Sequence, residues 1–227
     1  MWFYVFIPVA VAALGAIYTS VWPPSDKMVN AFQHFAAGVV FYAAAGELLP
    51  DATQRPWIWP IIIGGILGIV VMLLLRHFTE KAKQGPTGLM AASAFDAVID
   101  GIVLGLGFSA GQHQGLLLAI ALAIEFLFLG LSIAGAFSRK TSRWMIIGGT
   151  VSVSLGVPLG SLLALPIGTW PLSYKMAAFA FGLVALLYLV AEELLAEAHE
   201  KPETSWGTAM FFVGFLALTV LDQALRS

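Results

Sequence analysis

Eight apolar segments follow one another along the chain, and each is long enough to cross a bilayer as a helix. They are predicted at about residues 2–22, 28–49, 57–75, 88–110, 115–137, 144–166, 171–196 and 204–225. The connections between them are short and contain residues that end helices, such as Pro23-Pro24 and Gly85-Pro86. Because the segments fill the chain, we expect one polytopic transmembrane domain over residues 1–227, with no soluble domain.

Composition supports a membrane protein and excludes several kinds of site. The chain is 59% hydrophobic and only 11% charged, whereas about 25% of the residues in a soluble domain are charged. The sequence therefore predicts an all-α integral membrane protein in contact with the lipid bilayer. The absence of cysteine excludes disulfides and thiolate metal sites. No basic patch is long enough to follow a phosphate backbone, so we expect no nucleic-acid partner.

Three carboxylates are predicted near the middle of the membrane. Asp96 and Asp100 lie four residues apart in the fourth segment, on one helix face, and Glu125 lies at about the same depth in the fifth. Neither segment contains a basic residue, and no predicted span has a central Lys or Arg. An ionised carboxylate is costly there without a positive partner, so the pattern indicates a cation or proton site. The alternative is protonated acids that hydrogen-bond helices together.

Basic residues are distributed unevenly between the two sides that eight spans define. Eight of the eleven Lys and Arg residues lie on one side and three on the other. The side with the excess is predicted to be cytoplasmic, which places both termini outside the cytoplasm. We expect the protein in the plasma (cell inner) membrane.

A motif in the second segment returns in the seventh at a constant offset of 146 residues. The matched pairs are Phe35–Phe181, Tyr42–Tyr188, Ala45–Ala191, Glu47–Glu193, Leu48–Leu194 and Leu49–Leu195. Because these two spans cross the membrane in opposite directions, spans 1–3 and 6–8 are predicted to be inverted repeats. Inverted repeats are typical of alternating-access transporters with a site near the midplane. The alternative is a chance likeness between apolar helices that end in Glu-Leu-Leu.

Six titratable residues in the second and seventh segments are candidates for a cation pathway. They are His34, Glu47, Glu192, Glu193, Glu197 and His199. The acids that end the seventh segment could receive a cation after its release to the cytoplasm. The competing interpretations are a hydrogen-bonded histidine near a helix end and an interfacial acid near the outer face. His113 and Asp222 are assigned no role.

Three stretches resemble the ZIP (Zrt/Irt-like protein) family of divalent metal transporters. Phe35–Pro50 is similar to the family's second helix, and Glu192–Glu200 to the end of its seventh. Ser154–Gly160 resembles the sixth-helix pattern in which Ser precedes Glu-Pro-Leu-Gly. The resemblance implies a 3+2+3 arrangement, with spans 1, 4, 5 and 6 moving as a bundle against a scaffold of spans 2, 3, 7 and 8. It also implies homodimers formed through the scaffold.

Departures from the family pattern reduce the implied metal site. The family's fourth span reads His-Asn-x-x-Asp/Glu-Gly, and this chain has Asp96-Ala97-Val98-Ile99-Asp100-Gly101. In the fifth span Ile124 and Phe128 occupy ligand positions and only Glu125 remains, while the sixth-helix Glu is Val157. The resemblance therefore implies a single metal site made of the two aspartates and Glu125.

All three remaining donors are carboxylates, which favour Mn, Mg or Ca; zinc or iron follows from the family resemblance alone. We therefore predict a secondary transporter that moves a divalent cation toward the cytoplasm by alternating access. Proton counter-flow stays open. The alternative is a ZIP-like membrane protein that has lost transport and serves a binding or structural role. No enzyme is expected, because Glu192-Glu193 lacks the Arg that paired acids of membrane metalloproteases carry four residues later.

Overall fold

The computed structural model describes residues 2–22, 24–82, 86–136, 141–199 and 205–226, and these ranges contain helices and no strand. Eight helices in them are long and apolar enough to cross a membrane, which confirms the predicted fold class and span count. Spans 1 to 8 are Phe3–Val21, Asp26–Ala52, Ile58–Phe78, Met90–Ala110, Gln112–Ile133, Arg143–Thr169, Leu172–His199 and Ser205–Arg226. Residues 137 and 204, predicted as span ends, lie outside the described ranges, as does Glu200.

Four spans are single helices and four are interrupted. The single helices are Ile58–Ala82, Pro86–Ala110, Gln112–Ala136 and Ser205–Arg226, for spans 3, 4, 5 and 8. Span 1 consists of Trp2–Val5 and Ile7–Val21, and span 6 of Arg143–Ser154, Gly156–Ala164 and the 3₁₀ turn Leu165–Thr169. Span 2 consists of Asp26–Ala43, the π-helical Ala44–Leu48 and Leu49–Ala52; span 7 of Leu172–Leu189, the π-helical Val190–Leu194 and Leu195–His199.

Local chemistry explains where two of these spans begin or break. Span 2 begins after Ser25, whose side chain accepts a hydrogen bond from the Met28 amide at 3.4 Å, as an N-cap does. Span 6 breaks at Leu155. Pro158 follows three residues later, and since proline has no amide hydrogen it cannot bond the carbonyl of Ser154.

The π-helical segments occur at matching positions of spans 2 and 7. Ala44–Leu48 and Val190–Leu194 are separated by 146 residues, the offset at which the sequence motif returns. The preceding helices, Asp26–Ala43 and Leu172–Leu189, have the same length of 18 residues and the same offset. The repeated sequence therefore folds into a repeated local structure. Inversion of the repeats across a membrane and the 3+2+3 arrangement remain predictions.

The spans pack most extensively in five pairs: 1 with 5, 4 with 6, 2 with 8, 2 with 7, and 3 with 7. Glycines allow the backbones to meet. A Cβ added at Gly101 would overlap the carbonyl of Val157, and one at Gly160 would overlap the carbonyl of Val98. Small residues at such contacts are typical of membrane helix pairs. Span 5 is the most enclosed of the eight: 67% of the residues in its apolar 18-residue stretch are buried, against 17% for span 8. The fold therefore surrounds Glu125 with protein.

Candidate metal centre

Spans 4, 5 and 7 line a partly open cavity of about 80 Å³, several times the space of one water molecule on the same measure. Five carboxylate side chains line it. They are Asp96, Asp100, Glu125, Glu193 and Glu197. The trio singled out in the sequence thus shares one cavity, and two acids from span 7 join it. The space is sufficient for a cation with part of its hydration shell.

Span 4 presents its two aspartates to the cavity and its glycine to span 6. The four-residue spacing of Asp96 and Asp100 puts both on one helix face. Gly101 meets the backbone of span 6, where Ser161 Oγ donates a hydrogen bond to the Gly101 carbonyl oxygen at 2.9 Å. Because that contact is fixed by backbone atoms, the aspartates are held on a rigid support.

Two of the acids are deeply buried. The exposed fraction is 2% for Asp100 and 8% for Glu125, while Asp96 is half-buried. Glu125 Oε2 is buried and accepts no hydrogen bond from the described residues. A buried carboxylate oxygen of this kind is costly unless a cation or proton occupies the space beside it.

The acids act on one another electrostatically. Asp100 interacts with Glu125 and Glu193, and Glu125 also interacts with Glu193 and Asp96. None of the described residues that line the cavity is Lys, Arg or His. Their mutual repulsion favours binding of a cation or of protons.

The remaining lining is mostly apolar and includes two hydroxyl groups. Ser93 and Ser132 add oxygen atoms to the wall, and Phe126, Phe128 and Leu189 are among the apolar side chains. An apolar wall lowers the local dielectric constant and so strengthens attraction between a cation and the carboxylates.

Adjacent glutamates of span 7 lie in different environments. Glu193, in the π-helical segment, lines the cavity, whereas Glu192 Oε2 lies 2.5 Å from Arg76 Nη1 on the exterior, where both side chains are about half exposed. The structure therefore separates Glu192 from the other predicted pathway residues.

His34 and His199 lie next to each other, on spans 2 and 7. Their ring centroids are 5.8 Å apart, and His34 is buried with Nδ1 3.0 Å from the Asn30 carbonyl oxygen. Gln33 Nε2 donates to Glu197 Oε2 at 3.0 Å, which connects this group to the cavity. The Gln33–Glu197 contact therefore links the cavity to the parts of spans 2 and 7 that carry these two histidines.

Glu47 lies elsewhere, in a second polar group with His113 and Asp222. The sequence placed His113 in a short loop and Asp222 near the end of the last segment, and neither was assigned a role. The three residues come from three different spans and share no local spacing. The group contains one ligand atom from each residue within 4.8 Å of the others.

Comparison with known proteins gives one informative relative. No family model matches the chain. The chain is 26% identical to the protein named Zinc transporter GufA of Myxococcus xanthus over 221 residues, covering 89% of this chain and 78% of GufA. The similarity therefore extends over most of the chain and is not confined to a single motif. This distant similarity to a metal transporter and the eight apolar helices agree with the ZIP-like resemblance found in the sequence.

Proposed function

We propose that this protein is a secondary transporter that moves a divalent metal cation toward the cytoplasm and binds it in the carboxylate cavity. Asp96, Asp100 and Glu125 are the proposed ligands, and Glu193 contributes a fourth carboxylate. The observation that carries the proposal is the convergence of these acids on one cavity whose described lining has no basic residue.

The donor set bears on which metal is carried. Carboxylates and hydroxyl groups suit hard cations such as Mn²⁺, Mg²⁺ or Ca²⁺, and zinc also accepts carboxylates. The relative GufA is named a zinc transporter. We propose a single divalent ion per cavity, with Mn²⁺ and Zn²⁺ as the two cations to compare first.

The packing of the spans supports alternating access. The pairs 1 with 5 and 4 with 6 lie within the proposed moving bundle, and the pairs 2 with 8, 2 with 7 and 3 with 7 lie within the proposed scaffold. Asp96, Asp100 and Glu125 belong to the bundle, and Glu193 and Glu197 to the scaffold. Relative motion of the two parts would therefore change the set of carboxylates around the ion, which is how a site can release its ligand.

The proposal also includes the orientation of the chain, its membrane, a homodimer and coupling to protons. The excess of basic residues on one side supports outside termini and a plasma (cell inner) membrane location. Spans 3 and 8 are the least buried: only 22% and 17% of the residues in their apolar 18-residue stretches are buried. Their outer faces are available to lipid or to a second copy in a homodimer. Clustered acids that must lose protons to bind metal would couple ion release to protonation.

Uptake by proteoliposomes tests the proposal. The double variant Asp100→Asn with Glu125→Gln should abolish uptake of Mn²⁺ and Zn²⁺, because two buried ligands lose their charge. Glu192 is the neighbour of Glu193 in sequence, but its side chain lies on the exterior and not in the cavity. Glu192→Gln therefore removes a charge outside the cavity and should retain uptake, which makes it the matched control. Unchanged uptake by the double variant would exclude the cavity as the transport site. Metal binding without uptake by the unmodified protein would instead favour the alternative of a non-transporting, binding protein.

A further inference from the structure

A second group of side chains with metal-ligating atoms lies at the opposite end of the spans from the proposed cytoplasmic side. Glu47 comes from the π-helical segment of span 2, His113 from the first turn of span 5, and Asp222 from the last turns of span 8. One ligand atom from each lies within 4.8 Å of the others. His113 precedes Glu125 by twelve residues of continuous helix, or roughly 18 Å, so the two sites are separate.

The group is buried and incompletely satisfied. The exposed fraction is 2% for Glu47 and 6% for Asp222. Glu47 Oε1 is buried and makes no hydrogen bond with the described residues. A carboxylate oxygen of Glu47 is among the ligand atoms that converge here. A polar network with one buried acceptor left over is costly and favours an additional positive ligand.

The other carboxylate is fully engaged. Asp222 Oδ2 accepts a hydrogen bond from the Tyr42 hydroxyl at 2.7 Å, and His113 Nε2 lies 2.6 Å from Asp222 Oδ1. Tyrosine, histidine and aspartate thus hold one another in position from three spans. Such mutual orientation is what a metal site requires of its ligands and their supports.

Arg226 supplies the positive charge that the group now has. Its Nε donates to Asp222 Oδ1 at 2.7 Å, and its guanidinium approaches Glu47 Oε1 only to 4.0 Å. Its side chain is 53% exposed, so it can turn outward without unpacking the fold. One guanidinium neutralises one of two carboxylates, whereas a divalent cation would neutralise both.

We propose that Glu47, His113 and Asp222 form a second cation site, selective for Zn²⁺-type metals, which Arg226 occupies as a tethered counter-ion until a metal displaces it. The imidazole distinguishes this donor set from the all-oxygen cavity, because zinc accepts a mixture of imidazole and carboxylate ligands while Ca²⁺ and Mg²⁺ prefer oxygen. Binding would replace the His113–Asp222 hydrogen bond by two metal bonds. The inference does not depend on transport through the central cavity.

Zn²⁺ titration of purified protein that carries Asp100→Asn and Glu125→Gln isolates this site. In that background Arg226→Gln should raise the Zn²⁺ affinity at least tenfold, because the competing cation is gone. Arg55→Gln removes an exposed arginine from the loop between spans 2 and 3 and should leave the affinity unchanged. Adding His113→Gln to Arg226→Gln should abolish the gain. Ca²⁺ should not compete.

Cobalt absorption and binding stoichiometry provide independent measurements. Co²⁺ bound by the Arg226→Gln protein should show visible bands that depend on His113. If the central double variant does not fold, the single variant Arg226→Gln should bind two Zn²⁺ ions and Arg226→Gln with His113→Gln only one. An unchanged affinity in Arg226→Gln, or a gain that survives the loss of His113, would overturn the proposal.

Discussion

Glu193 and Glu192 are adjacent in sequence and face different surroundings. Glu193 lines the carboxylate cavity, while Glu192 pairs with Arg76 on the exterior. Successive residues of a helix point in different directions. Charge at this end of span 7 therefore serves two purposes: one acid faces the cavity and the other joins spans 3 and 7.

Glu193→Gln should weaken Mn²⁺ binding by about tenfold or more, since it removes one carboxylate from the cavity. At saturating metal, a tenfold loss of affinity lowers the metal-induced stabilisation by about 1.4 kcal/mol. The increase in melting temperature on adding Mn²⁺ measures the effect. Glu192→Gln is the control and should keep the full increase; equal losses in the two variants would place neither acid at the site.

The sequence singled out three of the five acids that line the cavity. Asp96 and Asp100 were identifiable from four-residue spacing inside an apolar segment, and Glu125 from its depth in the next. Glu193 was predicted only as a pathway residue, because sequence gives no distance between spans 4 and 7. The convergence of His113 and Asp222 was not predicted, because it depends on how three spans pack.

Among the helices, close backbone contact explains how span 6 supports span 4. Gly101 and Gly160 face each other across this pair, and neither position has room for a Cβ. Gly101 and Gly105 are four residues apart in the sequence, a spacing of small residues that is typical of close helix contact, but the partner helix follows only from the fold. The π-helical segments were likewise beyond prediction, because an apolar pattern does not reveal one wider turn.

Gly160→Ala should destabilise the protein by about 1–3 kcal/mol, because the added methyl group overlaps the Val98 carbonyl and must push spans 4 and 6 apart. Thermal unfolding monitored by light scattering in detergent measures the change. Gly148→Ala in the same span meets nothing within 4 Å and should be neutral or slightly stabilising. Equal melting temperatures for the two variants would contradict the close contact.

For the whole molecule, the main helix pairs all lie within two sets of spans, 1, 4, 5 and 6 in one and 2, 3, 7 and 8 in the other, and no main pair joins the two sets. The pairs are symmetric: if span 1 is exchanged with span 6, span 2 with 7, span 3 with 8 and span 4 with 5, the same list of packed pairs results. The offset of 146 in the sequence anticipated that symmetry for spans 2 and 7. The partners of spans 4 and 5 could not be anticipated, since neither has a detectable copy in the sequence.

A cross-link between the two sets should stop transport. The chain has no cysteine, and a Cβ at Gly182 in span 7 would lie 3.3 Å from Val103 Cγ2 in span 4. Oxidation of the pair Val103→Cys with Gly182→Cys should abolish proteoliposome uptake, and reduction should restore it. Gly68→Cys with Val184→Cys joins spans 3 and 7 within one set, where a Cβ at Gly68 lies 3.0 Å from Val184 Cβ. That pair should remain active when oxidised, and full activity of the first oxidised pair would rule out relative motion of the sets.

The glycine contact between spans 4 and 6 also determines what must be displaced when the aspartates change position. Backbones in direct contact cannot slide past each other, so a carried ion would travel with a rigid pair of helices and not with two side chains. The surrounding acyl chains would have to reorganise at each turnover. Transport should therefore fall sharply in gel-phase vesicles, while metal affinity should depend little on the state of the lipid.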